Sequence, residues 1–145
     1  MRLIEDIVDL VPGESARATR RARPDDWFFD GHFPGNPVVP AIVLVELLAQ
    51  TGGLAASSQS EADHGRPLRV AAVGPVKFPS GARPHQMLEA YARVIGRMGG
   101  IVKIEGEVLA DGVRVAVGSV TLADVGDPTP DLRAPNPEPR TPNPG

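Results

Sequence analysis

The sequence predicts an α+β fold in which a largely antiparallel sheet of about six strands wraps around one long helix. Three observations lead to this prediction. Runs of alternating apolar and polar residues fill the second half of the chain, two shorter runs occupy its first 23 residues, and one segment of helical character, 40–58, lies between them. Because a single helix is available to cover the sheet, we expect the sheet to curve around it.

The first two strands are predicted on either side of Pro12 and Gly13, a pair that commonly forms a turn. The segment before this turn contains Glu5, Asp6 and Asp9, which interrupt any apolar run of signal-peptide length. We therefore expect the N-terminal segment to stay in the mature protein and to form the first strand.

Four longer strands are predicted after the helix, because the runs have strand length, are rich in Val and Ile, and are separated by Gly or Asp-Gly. Asp111 and Gly112 are typical of a two-residue hairpin turn, and Gly99 and Gly100 mark a second reversal. A segment rich in Pro and Gly, 79–84, supplies a third turn. The four strand runs are 67–78, 86–95, 101–110 and 113–122.

The helix is predicted over 40–58. Pro40 suits the first helical position, where its missing N–H group costs nothing, and the Leu, Ala, Glu and Gln residues that follow favour a helix interior. Apart from Glu46, Gln50 and Thr51, the first three turns are apolar on every side, which is typical of a helix enclosed by protein.

Composition excludes several classes of function. The chain has 145 residues, which fits one folded domain, and it contains no Cys, which excludes disulfides, thiolate metal sites and cysteine nucleophiles. A net charge of -3 lacks the basic excess that nucleic-acid binding needs. The longest apolar stretch is too short to span a membrane, so we expect a cytoplasmic protein.

The predicted folded domain is 1–125, followed by a C-terminal tail over 126–145. The tail contains seven of the 16 Pro residues and no aromatic residue. With few apolar groups to bury, such a segment cannot compensate for the entropy of ordering, and we expect it to be extended and mobile.

The candidate site begins in the loop 27–40, whose Pro and Gly residues restrict the backbone just before the helix. This loop contains His32, and imidazole can accept or donate a proton near neutral pH. Glu46 is a carboxylate in an otherwise apolar helix, where burial without a partner is costly, and Gln50 follows at i+4 with an amide that could orient it. A structural role remains open for each of the three residues.

The predicted helix start offers no side chain that could cap its free N–H groups, since the residues there are Val, Val, Pro and Ala. Unpaired N–H groups at a helix N-terminus can stabilise an oxygen that becomes negative during a reaction. Together with an imidazole and a carboxyl group, they describe proton abstraction next to a carbonyl, with an acid that helps a leaving group depart. Such chemistry requires neither a metal nor a redox cofactor.

The stretch FFDGHFPGNPVVPAIVLVELLAQTGG, residues 28–53, resembles the signature of the FabZ-type 3-hydroxyacyl-acyl carrier protein dehydratases. The features shared with this family are the Gly-His-Phe-Pro-Gly loop, the Glu fourteen residues after the His, and the Ala-Gln that follows. Weaker similarity continues through 72–78 and the closing hairpin, so the resemblance covers nearly the whole chain except the tail. It implies the hot-dog fold.

The resemblance also implies roles for individual residues. His32 and Glu46 correspond to the catalytic pair, which in the family comes from two different subunits of a dimer, and the backbone N–H of Ala41 corresponds to the group that holds the thioester carbonyl. The other residues expected to line the substrate site are Gly31, Phe33, Pro40 and Gln50.

The sequence departs from the family pattern at three places. Ala41 stands where the family usually has Gly, which keeps the N–H group but adds a methyl at the closest approach of the substrate. The His-Arg-Tyr-Pro-Phe stretch that commonly precedes the first strand is absent, and Arg83, Pro84 and His85 replace a Pro-Gly-Asp loop. Glu at position 46 favours this branch over the related FabA branch, which has Asp there.

The resulting hypothesis is a dehydratase acting on a 3-hydroxyacyl thioester carried by acyl carrier protein, in an assembly of at least two subunits. The alternatives are a non-catalytic hot-dog subunit or acyl-binding module of a synthase, and a hot-dog thioesterase. Because acyl carrier protein is acidic, a basic docking patch is expected, and the residues available for it are Arg83, Lys77, Arg93 and Arg97.

Overall fold

A computed structural model of the chain describes residues 2–30, 35–57 and 68–124. These residues form six strands and one α-helix, with a short 3₁₀ turn at Trp27–Phe29. The strands form one sheet in the order β1-β2-β4-β5-β6-β3, and every neighbouring pair is antiparallel. The predicted α+β architecture is confirmed. Its elements are β1 (Asp6–Val11), β2 (Ser15–Arg21), α1 (Ala41–Ser57), β3 (Leu68–Lys77), β4 (Met87–Met98), β5 (Ile101–Ala110) and β6 (Val113–Asp124).

The part of the sheet that faces the middle of α1 includes several small residues. In β4, Leu88, Ala90 and Ala92 are fully buried, and they alternate with more exposed residues. Ala92 is paired with Gly106 of β5, which is paired in turn with Gly118 of β6. This row of small residues lets the helix approach the middle of the sheet closely.

The helix fills the concave side of the sheet with large apolar side chains. Leu47 and Leu48 are fully buried, and Leu44 is 3% exposed, so the second turn of α1 forms the centre of the core. Full burial of each such leucine contributes about 2 kcal/mol to stability. The first turn differs, because Ile42 is 72% exposed. The expectation that the helix start is enclosed on every side therefore does not hold within one chain.

The C-terminal end of α1 is held by two other parts of the chain. The backbone N–H of Gly13, in the turn between β1 and β2, donates to the Ala55 carbonyl at 2.8 Å. The Arg97 guanidinium, near the end of β4, donates to the Ala56 carbonyl at 2.7 Å. These two donors pair carbonyl groups in the last described turn of the helix, and the arginine also interacts favourably with the negative end of the helix.

The predicted hairpin turn at Asp111 and Gly112 is confirmed. Both residues have positive φ, 46° and 84°, as a two-residue turn between twisted strands requires. The Asp111 carboxylate accepts a hydrogen bond from the Met87 N–H at 2.8 Å, which ties the turn to the start of β4. The strand β4 extends beyond its predicted end at 95, because an irregularity between Val94 and Gly96 lets pairing with β5 continue.

Two of the predictions about the fold fall outside the described residues. The tail over 126–145 is one, and the end of the helix at Ser58 is the other. Among the described residues, no helix is both long enough and apolar enough to cross a membrane.

Candidate active site

The carboxyl group of Glu46 lies on the second turn of α1 and is partly buried. Gln50, one turn later on the same face, donates from Nε2 to Oε2 of Glu46 at 2.9 Å. The amide oxygen of Gln50 accepts from the backbone N–H of Leu3 at 2.8 Å. The side chain of Gln50 is therefore held at both ends, and it directs one oxygen of Glu46.

The start of α1 lies just before Glu46, and the backbone N–H groups of its first turn are the next feature of the site. The helix begins at Ala41, one residue after the predicted start, and the Pro40 carbonyl accepts the N–H of Val43 at 3.0 Å. Within residues 2–30, 35–57 and 68–124, no hydrogen bond is formed to the N–H groups of Ala41 and Ile42. Because both residues are exposed in the single chain, these donors are accessible to a ligand.

The chain that leads into the helix is fixed by the segment between β3 and β4. The Val39 N–H donates to the Ala82 carbonyl at 2.7 Å, and Arg83 donates from Nη1 to the Asn36 side-chain oxygen at 2.5 Å. Gly35 has a φ of +83°, which other residues rarely adopt. These contacts hold the described end of the loop against the rest of the domain.

The other end of the loop is fixed by aromatic packing. Phe28 and Phe29 of the 3₁₀ turn are buried, and their rings pack at a centroid distance of 5.0 Å. The predicted site residues Gly31, His32 and Phe33 lie between these two ends, outside the described residues.

The predicted basic docking patch does not form as a single cluster within one chain. Arg83 bonds to Asn36 before the start of α1, whereas Arg97 bonds at the opposite end of this helix of 17 residues, about 25 Å away. Arg93 forms an exposed ion pair with Glu105 on the neighbouring strand. The sequence could not show this, because the partners of long side chains are set by tertiary packing.

Sequence reasoning missed two groups near Glu46. The first is the backbone of Leu3, and the second is the side chain of Arg20, which donates from Nη1 to the Leu3 carbonyl at 3.2 Å. Leu3 and Gln50 are 47 residues apart, so no local pattern links them. Among the described residues, no group of three or more His, Cys, Asp or Glu side chains could hold a metal ion.

A family model and individual relatives both match most of this chain. The model of the FabA-like domain family matches residues 1–119. The chain is 32% identical over 130 residues to the 3-hydroxyacyl-acyl-carrier-protein dehydratase FabZ of Myxococcus xanthus, which covers 89% of this chain and 84% of that protein. It is 34% identical over 116 residues to FabZ of Caldicellulosiruptor saccharolyticus, covering 76% of this chain and 82% of that protein.

Solved structures agree with the fold. The dehydratase heterocomplex ApeI:P from Xenorhabdus doucetiae matches with a TM-score of 0.69 at 14% identity, covering 85% of this chain and 82% of that one. The PaaI protein of Escherichia coli matches with a TM-score of 0.65 at 19% identity, covering 83% of this chain and 79% of that one. At these identities the likeness concerns the fold alone, and that fold is the predicted hot-dog fold. Because the family model spans most of the chain and the FabZ relatives are matched over most of their own length, the chain belongs to the FabZ family of dehydratases.

Proposed function

We propose that the protein removes water from a 3-hydroxyacyl thioester carried by acyl carrier protein and releases the trans-2-enoyl thioester. The observation that supports this most is the arrangement at α1. A carboxyl group oriented by Gln50 lies one turn after a helix start whose first two N–H groups have no partner among the described residues, in a chain that belongs to a dehydratase family. Both the acyl carrier protein and the 3-hydroxyacyl group come from the names of the relatives.

In the proposed mechanism, His32 removes a proton from the carbon next to the thioester carbonyl. The Ala41 N–H donates to the carbonyl oxygen, which becomes negative as that C–H bond breaks. Glu46 delivers a proton to the 3-hydroxyl group, so the C–O bond breaks and the oxygen leaves as water while the C=C bond forms. His32 gains one proton and Glu46 loses one, so the total number of protons on the two side chains is unchanged. No cofactor takes part.

The proposed mechanism also assigns the remaining contacts with the substrate. Gly31 and Phe33 flank the proposed base, and Pro40 precedes the donor at Ala41. The Ala41 methyl group narrows the space around the thioester relative to Gly at that position. Gln50 acts on substrate through the oxygen of Glu46 that it directs.

The direct test is incubation of the purified chain with a 3-hydroxyacyl group on acyl carrier protein, followed by intact-protein mass spectrometry. We expect the carrier to lose the mass of one water. Release of the free carrier thiol would instead indicate a thioesterase, and an unchanged carrier would indicate a non-catalytic subunit.

We also propose that the protein works as at least a dimer, paired through β3. This strand is an edge of the sheet, is ten residues long, and carries the exposed apolar side chain of Val73, with the exposed Phe78 directly after its last residue. An edge of this length with apolar residues favours pairing with a second copy. The opposite edge, β1, has only six residues.

A pair of matched variants tests this assignment. Val73→Asp on β3 is expected to shift the protein to monomers in sedimentation and to abolish dehydration, because a charge would enter the interface. Val8→Asp on β1 is the control, since Val8 and Val73 are 56% and 54% exposed. Dissociation by Val8→Asp with no effect of Val73→Asp would place the interface on the other edge.

A further inference from the structure

A continuous chain of hydrogen bonds links the side chain of Arg20 on β2 to the carboxyl group on α1. Arg20 donates from Nη1 to the Leu3 carbonyl at 3.2 Å, and the Leu3 N–H donates to Oε1 of Gln50 at 2.8 Å. Gln50 then donates from Nε2 to Oε2 of Glu46 at 2.9 Å. The backbone N–H and C=O groups of Leu3 thus lie between the side chains of Gln50 and Arg20.

The Arg20 guanidinium is fixed in place. It forms an ion pair with Asp26 at 2.5 Å, and the two side chains are 12% and 10% exposed. It also lies over the Phe28 ring, at 5.5 Å from the centroid. The exposed pairs on the strands contrast with it, since the side chains of Arg93 and Glu105 are 54% and 46% exposed. Burial of an ion pair is costly, so such a pair is better explained by the geometry that it fixes than by stability.

The backbone around Leu3 is constrained, as the Arg20 guanidinium is. The Leu3 side chain is 1% exposed and Ile4 is 7% exposed, so both are anchored in the core. The next N–H along the chain, that of Glu5, donates to the Thr19 carbonyl at 3.0 Å. The Leu3 N–H is therefore presented to Gln50 from a backbone that has little freedom to move.

The direction of the Gln50 amide follows from this contact. A backbone N–H group can only donate, so the Leu3 N–H can pair only with the oxygen end of the Gln50 amide. With the oxygen turned to Leu3, the NH₂ end must face Glu46, where it donates to Oε2. If the Leu3 N–H moved away, the amide could rotate and place its oxygen against the carboxyl group.

We propose that Arg20 is a positioning residue for Glu46. Paired with Asp26, it holds the carbonyl of Leu3, and the N–H of the same residue sets the Gln50 amide so that Oε1 of Glu46 is left for the substrate hydroxyl. This inference rests on the proposed role of Glu46 as the acid. Arg20 itself contacts neither the substrate nor Glu46.

The test is a double-mutant cycle in the full-length chain. Arg20→Met keeps the length of the side chain and removes its donors, and we expect kcat to fall about tenfold with KM nearly unchanged. In a Gln50→Met background the same substitution should change kcat less than about twofold, because the chain of bonds is already broken. A role limited to stability would lower activity equally in both backgrounds.

Arg23→Met is the matched control, since Arg23 also pairs with the N-terminal segment, through the exposed Glu5 carboxylate. We expect it to leave kcat unchanged. An equal loss in Arg23→Met, or the same loss from Arg20→Met in both backgrounds, would overturn the proposal. Glu46→Gln is measured alongside, because normal activity in that variant would reject the proposed role of Glu46. Loss of activity in Glu46→Gln with normal activity in Arg20→Met would reject only the positioning role of Arg20.

Discussion

His32→Ala and Glu46→Gln are each expected to lower kcat by about a hundredfold or more, which is the usual contribution of a positioned base or acid. Both residues are assigned to the chemistry rather than to the core, so we expect the thermal unfolding temperature to stay close to that of the unmodified chain. Steady-state rates with a carrier-bound 3-hydroxyacyl substrate, together with a melting curve, measure both quantities. A variant that retains full activity would remove its residue from the mechanism.

The same two variants test whether the site is shared between subunits. If His32 and Glu46 act from different protomers, a mixed dimer has one doubly altered site and one intact site. Random mixing makes half of the dimers mixed, so activity should recover to about a quarter of the original. No recovery after demonstrated subunit exchange would show that both residues act within one chain.

A control mixture makes this test specific. Glu46→Gln and Gln50→Met both alter the carboxyl side of the site, since the two side chains are bonded to each other. A dimer of these two variants contains no intact site. We expect its activity to be no higher than the average of the two parents, and recovery there would mean that mixing stabilises the protein rather than restoring a site.

Gly106→Ala is expected to destabilise the fold by about 3 kcal/mol, at the upper end of the cost of overpacking a core. A Cβ at this position would overlap the Tyr91 carbonyl oxygen and come within 2.9 Å of Leu48 Cδ1. The backbone carbonyl cannot move without breaking the pairing between β4 and β5, so the strain is not easily relieved. Denaturant unfolding with a linear extrapolation measures the change.

Gly96→Ala is the matched control, because Gly96 also lies in the β4–β5 ladder but a Cβ there would meet no atom within 4 Å. Its free energy of unfolding should change by less than about 1 kcal/mol. Similar losses in the two variants would mean that glycine is needed for its backbone freedom rather than for the close approach of the helix.

Local sequence signals were sufficient for the elements of the fold. Alternation located the strands, and Asp111 with Gly112 located a hairpin turn that the structure confirms. They were sufficient because strand alternation and positive φ are properties of a few consecutive residues. The helix start was placed one residue early, since Pro40 belongs to the position before the first helical residue.

The supports of the site could not be predicted in the same way. Gln50 at i+4 from Glu46 was identified as a partner because helix geometry brings the two together. The bond between Leu3 and Gln50 depends on where β1 lies across the helix, and nothing near either residue specifies it. Arg97 was predicted to face a carrier protein but lies against the end of α1, because a long flexible side chain takes the acceptor that folding places within reach.

The two ends of α1 differ in their hydrogen-bond partners, and this difference has an electrostatic consequence. Its negative end is neutralised by the Arg97 cation and the Gly13 N–H, whereas the positive end at Ala41 and Ile42 has no partner among the described residues. An isolated helix presents two partial charges of opposite sign whose fields partly cancel at a distance. Here one of the two is compensated, so α1 behaves as a single fixed partial positive charge, and an anionic oxygen near Ala41 meets an attraction that the far end of the helix does not weaken.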